Sequence, residues 1–252
     1  MNDDTDDLCG ATLSEFDGVR FLHLGSPWVQ GAMRKATASR IELEYVQRMT
    51  AWLLWRPIDE QTRGHAVHLG LGAATLTRFT AQRLRMPTTT VEINPSVIDA
   101  CRLWFRLPAD GPRLTVVCDD AGRWVADSAH HGSAQVLDVD LYDHDAAAPV
   151  LDSVSFYRAC RDCLSEGGLL SVNLFGRSSS YEESLDNLRE VFGADQVWAM
   201  TATREGNRIV IAARGVAWPG REEALRRAHA IEQRWGLPAR KWLRLLRGAT
   251  AS

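Results

Sequence analysis

The sequence predicts an α/β fold: a mostly parallel seven-stranded sheet with one antiparallel strand, preceded by a small β-hairpin and helix region. Three observations predict it. From His65 onward, strand-like and helix-like segments alternate, which is the pattern of a parallel sheet wrapped by helices on both faces. The last two strand-like runs, QVWAMTA and NRIVIAA, are separated only by TREGN, too short for a parallel crossover and suited to a hairpin. Acidic residues stand at the carboxyl ends of successive strands, where doubly wound sheets bind their ligands.

The elements follow in order. ATLSEF and VRFLHL flank Asp17-Gly18, a pair that permits the positive φ angles of a tight type I′ turn, so a β-hairpin opens the chain. From Ser39 to Trp55 apolar residues recur at mostly helical spacing until Pro57 stops them, predicting an amphipathic helix. HAVHLG is then a strand, followed by a helix through Phe79 and Leu84; TTTVEI is a strand, followed by a helix from Pro95 to Phe105. RLTVVC and AQVLDVDL are strands; a helix from about Pro149 to Leu164 leads to the strand GLLSVNL, and another spans Tyr181 to Phe192 before the closing hairpin. After Trp218 the chain reads as one or two helices broken at Gly236-Leu237-Pro238. Three regions result: residues 1–60, a small N-terminal β-hairpin and helix region; 61–215, the main α/β domain, which carries the candidate site; and 216–252, a C-terminal helical extension.

Composition narrows the function. The 252 residues, 45% hydrophobic, can bury a full core. A formal charge of -3, from 29 basic and 32 acidic residues, gives no global cationic field for a phosphate backbone, so nucleic acid is not expected as a partner. No apolar run reaches the roughly 18 residues of a bilayer span. The start MNDDTDDLCG is acidic where a signal peptide would be basic and then apolar, so a soluble cytoplasmic protein with no membrane partner is expected. The five cysteines are expected as reduced thiols; Cys160 and Cys163 have CxxC spacing but lie in a helical pattern without the further ligands of a zinc site. No metal is expected.

The candidate site begins at Gly70-Leu71-Gly72-Ala73-Ala74, where the first core strand meets a helix. Gly70 and Gly72 let the backbone approach a ligand and aim free N–H groups at it. Glu92, 20 residues after Gly72 at the end of the second strand, can accept both hydroxyls of a ribose. After the third strand, Asp120 is the better candidate for the adenine amino group, with Asp119 as its fallback or as a helix N-cap. Without a glycine pattern for a pyrophosphate or a basic residue in the loop, an adenosyl sulfonium compound is favoured over a dinucleotide. Around Tyr142, the acids Asp138, Asp140, Asp143 and Asp145 can anchor a polycation, with Asp138 and Asp145 read as solvated loop acids. Trp28, in the loop GSPWVQ beside Gln30, is a candidate for lining the crevice.

In their order and spacing, WVQGAMR, HLGLGAATL, TTVEINPSVIDACRLWF, LTVVCDDAGRWV, VLDVDLYDHD and FYRACRDCLSEGGLLSVNL resemble the spermidine synthase (polyamine aminopropyltransferase) family over roughly residues 17 to 215. The resemblance implies a Rossmann-like, class I methyltransferase fold. It implies a transferase that moves an aminopropyl group from decarboxylated S-adenosylmethionine to a small-molecule amine, with Gln30 on the substrate side; Trp28 beside it is expected there from its loop position, and a homodimer is allowed. It puts ribose on Glu92 and adenine on Asp120. It makes Asp140, Asp143 and Tyr142 the catalytic group, with Asp140 as the base. Ala73 stands where the family carries an acid, and Leu141-Tyr142 stand between the aspartates where it carries serines. An alanine at 73 is expected to admit the carboxylate of intact S-adenosylmethionine, so a methyltransferase on the same scaffold is the alternative. A non-catalytic nucleoside-binding or scaffolding protein is the further one, against which the retained Glu92, Asp120 and Asp140 argue.

Overall fold

The computed structural model describes residues 9–142, 151–175 and 178–248. β1 (Ala11–Phe16) and β2 (Val19–Leu24) form the expected hairpin, with Asp17 and Gly18 at φ 48° and 71°, as a type I′ turn requires. A strand that the sequence pattern did not suggest, β3 (Gly31–Arg34), pairs with β2 and makes a small antiparallel sheet of three. The helix expected over Ser39 to Trp55 is shorter: α1 spans Glu44–Met49 and tightens into a 3-10 turn at Thr50–Leu54.

The main sheet contains all seven expected strands: β4 (Ala66–Leu69), β5 (Thr88–Glu92), β6 (Leu114–Cys118), β7 (Ala134–Val139), β8 (Leu164–Leu174), β9 (Val197–Met200) and β10 (Arg208–Ala213). An eighth, β11 (Leu246–Gly248), corrects the expected count: the end of the chain leaves its last helix and pairs antiparallel with β9. The order is β11-β9-β10-β8-β7-β4-β5-β6, with β10 antiparallel to both neighbours and β4 to β8 parallel. The order therefore reverses beside β4, so β4 and β7 carry the crevice at their carboxyl ends.

The helices fall where the alternation put them. α2 (Thr75–Arg78) continues as a wider π turn at Phe79–Leu84; α3 (Pro95–Trp104), α4 (Ala121–Ala126), α5 (Val154–Cys163) and α6 (Ser178–Phe192) follow, and α7 (Arg221–Trp235) and α8 (Ala239–Leu245) form the extension. Alternate residues of one strand feed opposite cores: Val136 packs with Trp52, Trp198 and Trp242, while Leu137 and Val139 pack with Trp124 and Tyr157. Cys160 and Cys163 are free thiols buried in the second of these cores, and burial pushes both thiols up. Asp138 is corrected from a solvated loop acid to a core residue of β7, where its carboxylate lies 3.0 Å from the His68 ring of β4 with both side chains buried. Asp145 and Asp143 lie outside the described residues. No helix among the described residues is long and apolar enough to cross a membrane.

Candidate active site

The carboxyl ends of β4, β5 and β7, with the β2–β3 connection and the β9–β10 turn, enclose a cavity of about 660 Å3. Gly70, Gly72, Glu92, Asp120, Asp140, Tyr142, Gln30 and Trp28 all line it. Asp119 does not: its carboxylate pairs with Arg123. The capping assignment is reversed, because Asp120, not Asp119, accepts from Arg123 N–H (2.7 Å) and starts α4. That bond uses Oδ1, and Asp120 lines the cavity.

Glycine is required in the turn after β4. Gly70 sits at φ +91°, and a Cβ there would fall 2.3 Å from the carbonyl oxygen of Asp140. Glu92 braces the same turn: one carboxylate oxygen accepts from Leu71 N–H and the other from Asn94 N–H, each at 2.9 Å. Burial raises its pKa, opposed by those backbone donors. A carboxylate has about four acceptor positions, so hydroxyls of a ligand can still be received. Ala73 follows in the same turn. Its side chain is buried against Gly31 of β3, where an added Cβ would meet it at 2.6 Å, and it does not line the cavity.

Asp140 stands just past the end of β7. It accepts from Asn173 Nδ2 at 2.8 Å and lies within hydrogen-bonding reach of the Tyr45 phenol. Burial outweighs these bonds and pushes its pKa up to about 6. The sequence reading missed both partners, since Tyr45 fits an amphipathic helix and Asn173 a strand interior. Tyr142, expected in the catalytic group, has its hydroxyl engaged: it donates to Asn173 O (2.8 Å) and accepts from Phe175 N–H (2.5 Å), while burial raises its pKa. It fastens the Asp140 loop to the end of β8. Phe175 in turn meets Tyr142 and Trp28 edge-on, with ring centroids 6.3 Å apart in each case.

The charge of the wall is one-sided. Its ionisable acids are Glu42, Glu44, Glu92, Asp120, Asp140 and Glu205, and among the described residues no Lys, Arg or His lines it. Glu42 and Glu44 are turned toward cations behind the wall, Arg34 for the first and Arg48 with Lys241 for the second. Such a cavity favours cationic ligands.

Residues 80–213 match the spermine/spermidine synthase domain. A polyamine aminopropyltransferase of Chromobacterium violaceum is 31% identical over 227 residues, which are 89% of this chain and 84% of that protein. Among solved structures, a probable spermidine synthase from Corynebacterium glutamicum superposes with a TM-score of 0.73 at 21% identity, covering 96% of this chain and 92% of the other. Human methyltransferase-like protein 13, solved in complex with SAH, superposes with a TM-score of 0.65 at 22% identity, covering 84% and 97%, which shows the shared fold. With a domain match over more than half of its length and an aminopropyltransferase relative along most of it, this chain belongs to the spermine/spermidine synthase family.

Proposed function

We propose that this chain is a polyamine aminopropyltransferase that uses decarboxylated S-adenosylmethionine as donor and a small amine as acceptor. The observation that carries the reading is the all-acid wall. The donor is a sulfonium with an ammonium tail and the acceptor is a polycation, and both gain from carboxylates. The tail of intact S-adenosylmethionine ends in a carboxylate, for which the described wall has no cation. This favours aminopropyl transfer over methyl transfer more directly than any single position in the glycine turn.

In the reaction, the acceptor nitrogen attacks the aminopropyl carbon next to sulfur as the C–S bond breaks. The bonding pair goes to sulfur, so the sulfonium becomes a neutral thioether, methylthioadenosine, and one proton is released from the acceptor nitrogen. Asp140 takes that proton. An amine with a pKa of about 10 gives up its proton more readily to a carboxylate near 6 than to one near 4, and burial supplies that difference. Glu92 holds the ribose, Asp120 the adenine, and Gly70 and Gly72 let the backbone close on the nucleoside. Gln30 and Trp28 belong to the substrate side. Asp143 is assigned to the acceptor by the family resemblance alone.

The test is a paired assay with each donor and a set of amines, with calorimetric titration of methylthioadenosine alongside. Methylthioadenosine release together with an aminopropylated amine, from the decarboxylated donor only, is the expected result. A methylated product from intact S-adenosylmethionine would overturn it.

A further inference from the structure

One carboxylate on the wall has no partner among the described residues. Glu42, Glu44, Glu92, Asp120 and Asp140 each hold a cation or an N–H donor, whereas Glu205 makes no hydrogen bond or ion pair among the described residues. It sits in the turn between β9 and β10, at the rim of the cavity. That turn is fastened. Thr203 N–H donates to Asn207 O at 2.7 Å, Gly206 N–H to Thr203 O at 3.1 Å, and Asn207 N–H to the Thr203 hydroxyl at 3.2 Å. Gly206, at φ +103°, lies so close to Phe175 that a Cβ would fall 3.2 Å from the ring. Two amides then tie the turn to the base: Asn207 Nδ2 donates to Asn173 Oδ1 at 3.1 Å, and Asn173 Nδ2 donates to Asp140 Oδ1 at 2.8 Å. Glu205 and Asp140 are thus held in fixed relation on one wall, with Phe175, Trp28 and Tyr142 as the aromatic surface beside them.

We infer that Glu205 determines acceptor specificity by receiving a second ammonium of the acceptor, at the opposite end from the nitrogen that reacts at Asp140. The inference rests on the aminopropyl-transfer reading of this cavity. An ammonium carries three donors and a full charge, and an unpaired carboxylate at a cavity rim satisfies both. The alkyl chain between two ammoniums is apolar and lies on the aromatic surface, whose ring faces also attract the charged ends. A monoamine of equal length would meet the same aromatic surface and leave Glu205 to water. The site therefore selects diamines and longer polyamines over monoamines.

Diaminobutane and butylamine, matched in carbon chain, are the probes. Steady-state kinetics on the wild type and on Glu205→Gln give the preference for the diamine as a ratio of kcat/KM values. Titration of both amines onto protein saturated with methylthioadenosine gives the same ratio without turnover. The preference is expected to fall about three- to tenfold in Glu205→Gln, through a higher diamine KM, and to recover in part in Glu205→Asp. An unchanged preference in a Glu205→Gln protein that melts like the wild type overturns the inference and leaves the aminopropyl-transfer reading standing. A wild type that transfers nothing to either amine overturns that reading, and the inference with it.

Discussion

Asp140 is set between two opposing effects, burial that disfavours its charge and hydrogen bonds from Asn173 and Tyr45 that favour it, with burial the larger. The balance places its pKa at about 6, close enough to working pH to stay ionised and high enough to receive a proton from an amine. Asp140→Asn keeps the shape and the bond from Asn173 but cannot accept a proton. Turnover should fall on the order of 10²-fold or more while methylthioadenosine affinity stays near wild type. In the wild type, kcat/KM for the acceptor should decline about tenfold per pH unit below the Asp140 pKa, a slope absent from the residual activity of the variant. A normal turnover number for Asp140→Asn would remove it as the base. Glu92 poses a different case, because its carboxylate braces the backbone at Leu71 and Asn94 as well as facing the cavity. Glu92→Ala should weaken methylthioadenosine binding by about 1.5–3 kcal/mol by calorimetry, the usual worth of charged hydrogen bonds, and unchanged affinity would take Glu92 out of the site.

At the scale of elements, the site depends on one turn. Gly70 adopts a left-handed φ and presses its α-carbon against the Asp140 carbonyl, so the loops after β4 and β7 are locked to each other. Gly70→Ala combines a disfavoured φ with a 2.3 Å clash. It should lower stability by about 2–4 kcal/mol and displace the Asp140 loop. Thermal melts and acceptor kinetics check this, and a variant with wild-type melting and turnover would show that the two loops are independent. The same turn shows what the sequence could reveal. Its glycines, the acid 20 residues later and the alternation of strands are local patterns, and each survives in the fold. β3 escaped notice because GAMR is only four residues long, and β11 because LRG continues a helical pattern until β9 captures it. Tyr45, Asn173 and Asn207 were hidden for another reason. Each occupies a position that a helix or strand uses for packing, and only the folding of distant segments onto Asp140 gives it a role.

For the whole molecule, the wall is far more acidic than the chain, whose formal charge is only -3. Salt should therefore weaken capture of a polycation more than it disturbs the fold, and the acceptor KM should rise with ionic strength while the melting temperature barely moves. Concentrating carboxylates in a cavity also has a cost in stability, and Asp140 allows it to be measured. Its ordinary pKa of 3.8 is raised to about 6 in the folded chain. Between those values the folded state binds a proton that the unfolded state has lost. The stabilisation linked to Asp140 is therefore fully present below its unfolded pKa and is lost as pH rises through its folded pKa. At pH near 8 the fold must keep a buried carboxylate ionised, and Asp140→Asn removes that burden while retaining the hydrogen bond from Asn173. The variant should be more stable than the wild type by ~1–3 kcal/mol at pH 8 and no more stable near pH 4. Paired thermal melts at the two pH values decide it. A gain of equal size at both would mean that the effect comes from packing, and no gain at pH 8 would mean that the hydrogen bonds to the charged form offset its burial. A gain confined to high pH, together with lost turnover, would identify Asp140 as a residue kept against the interest of stability because the reaction needs its charge.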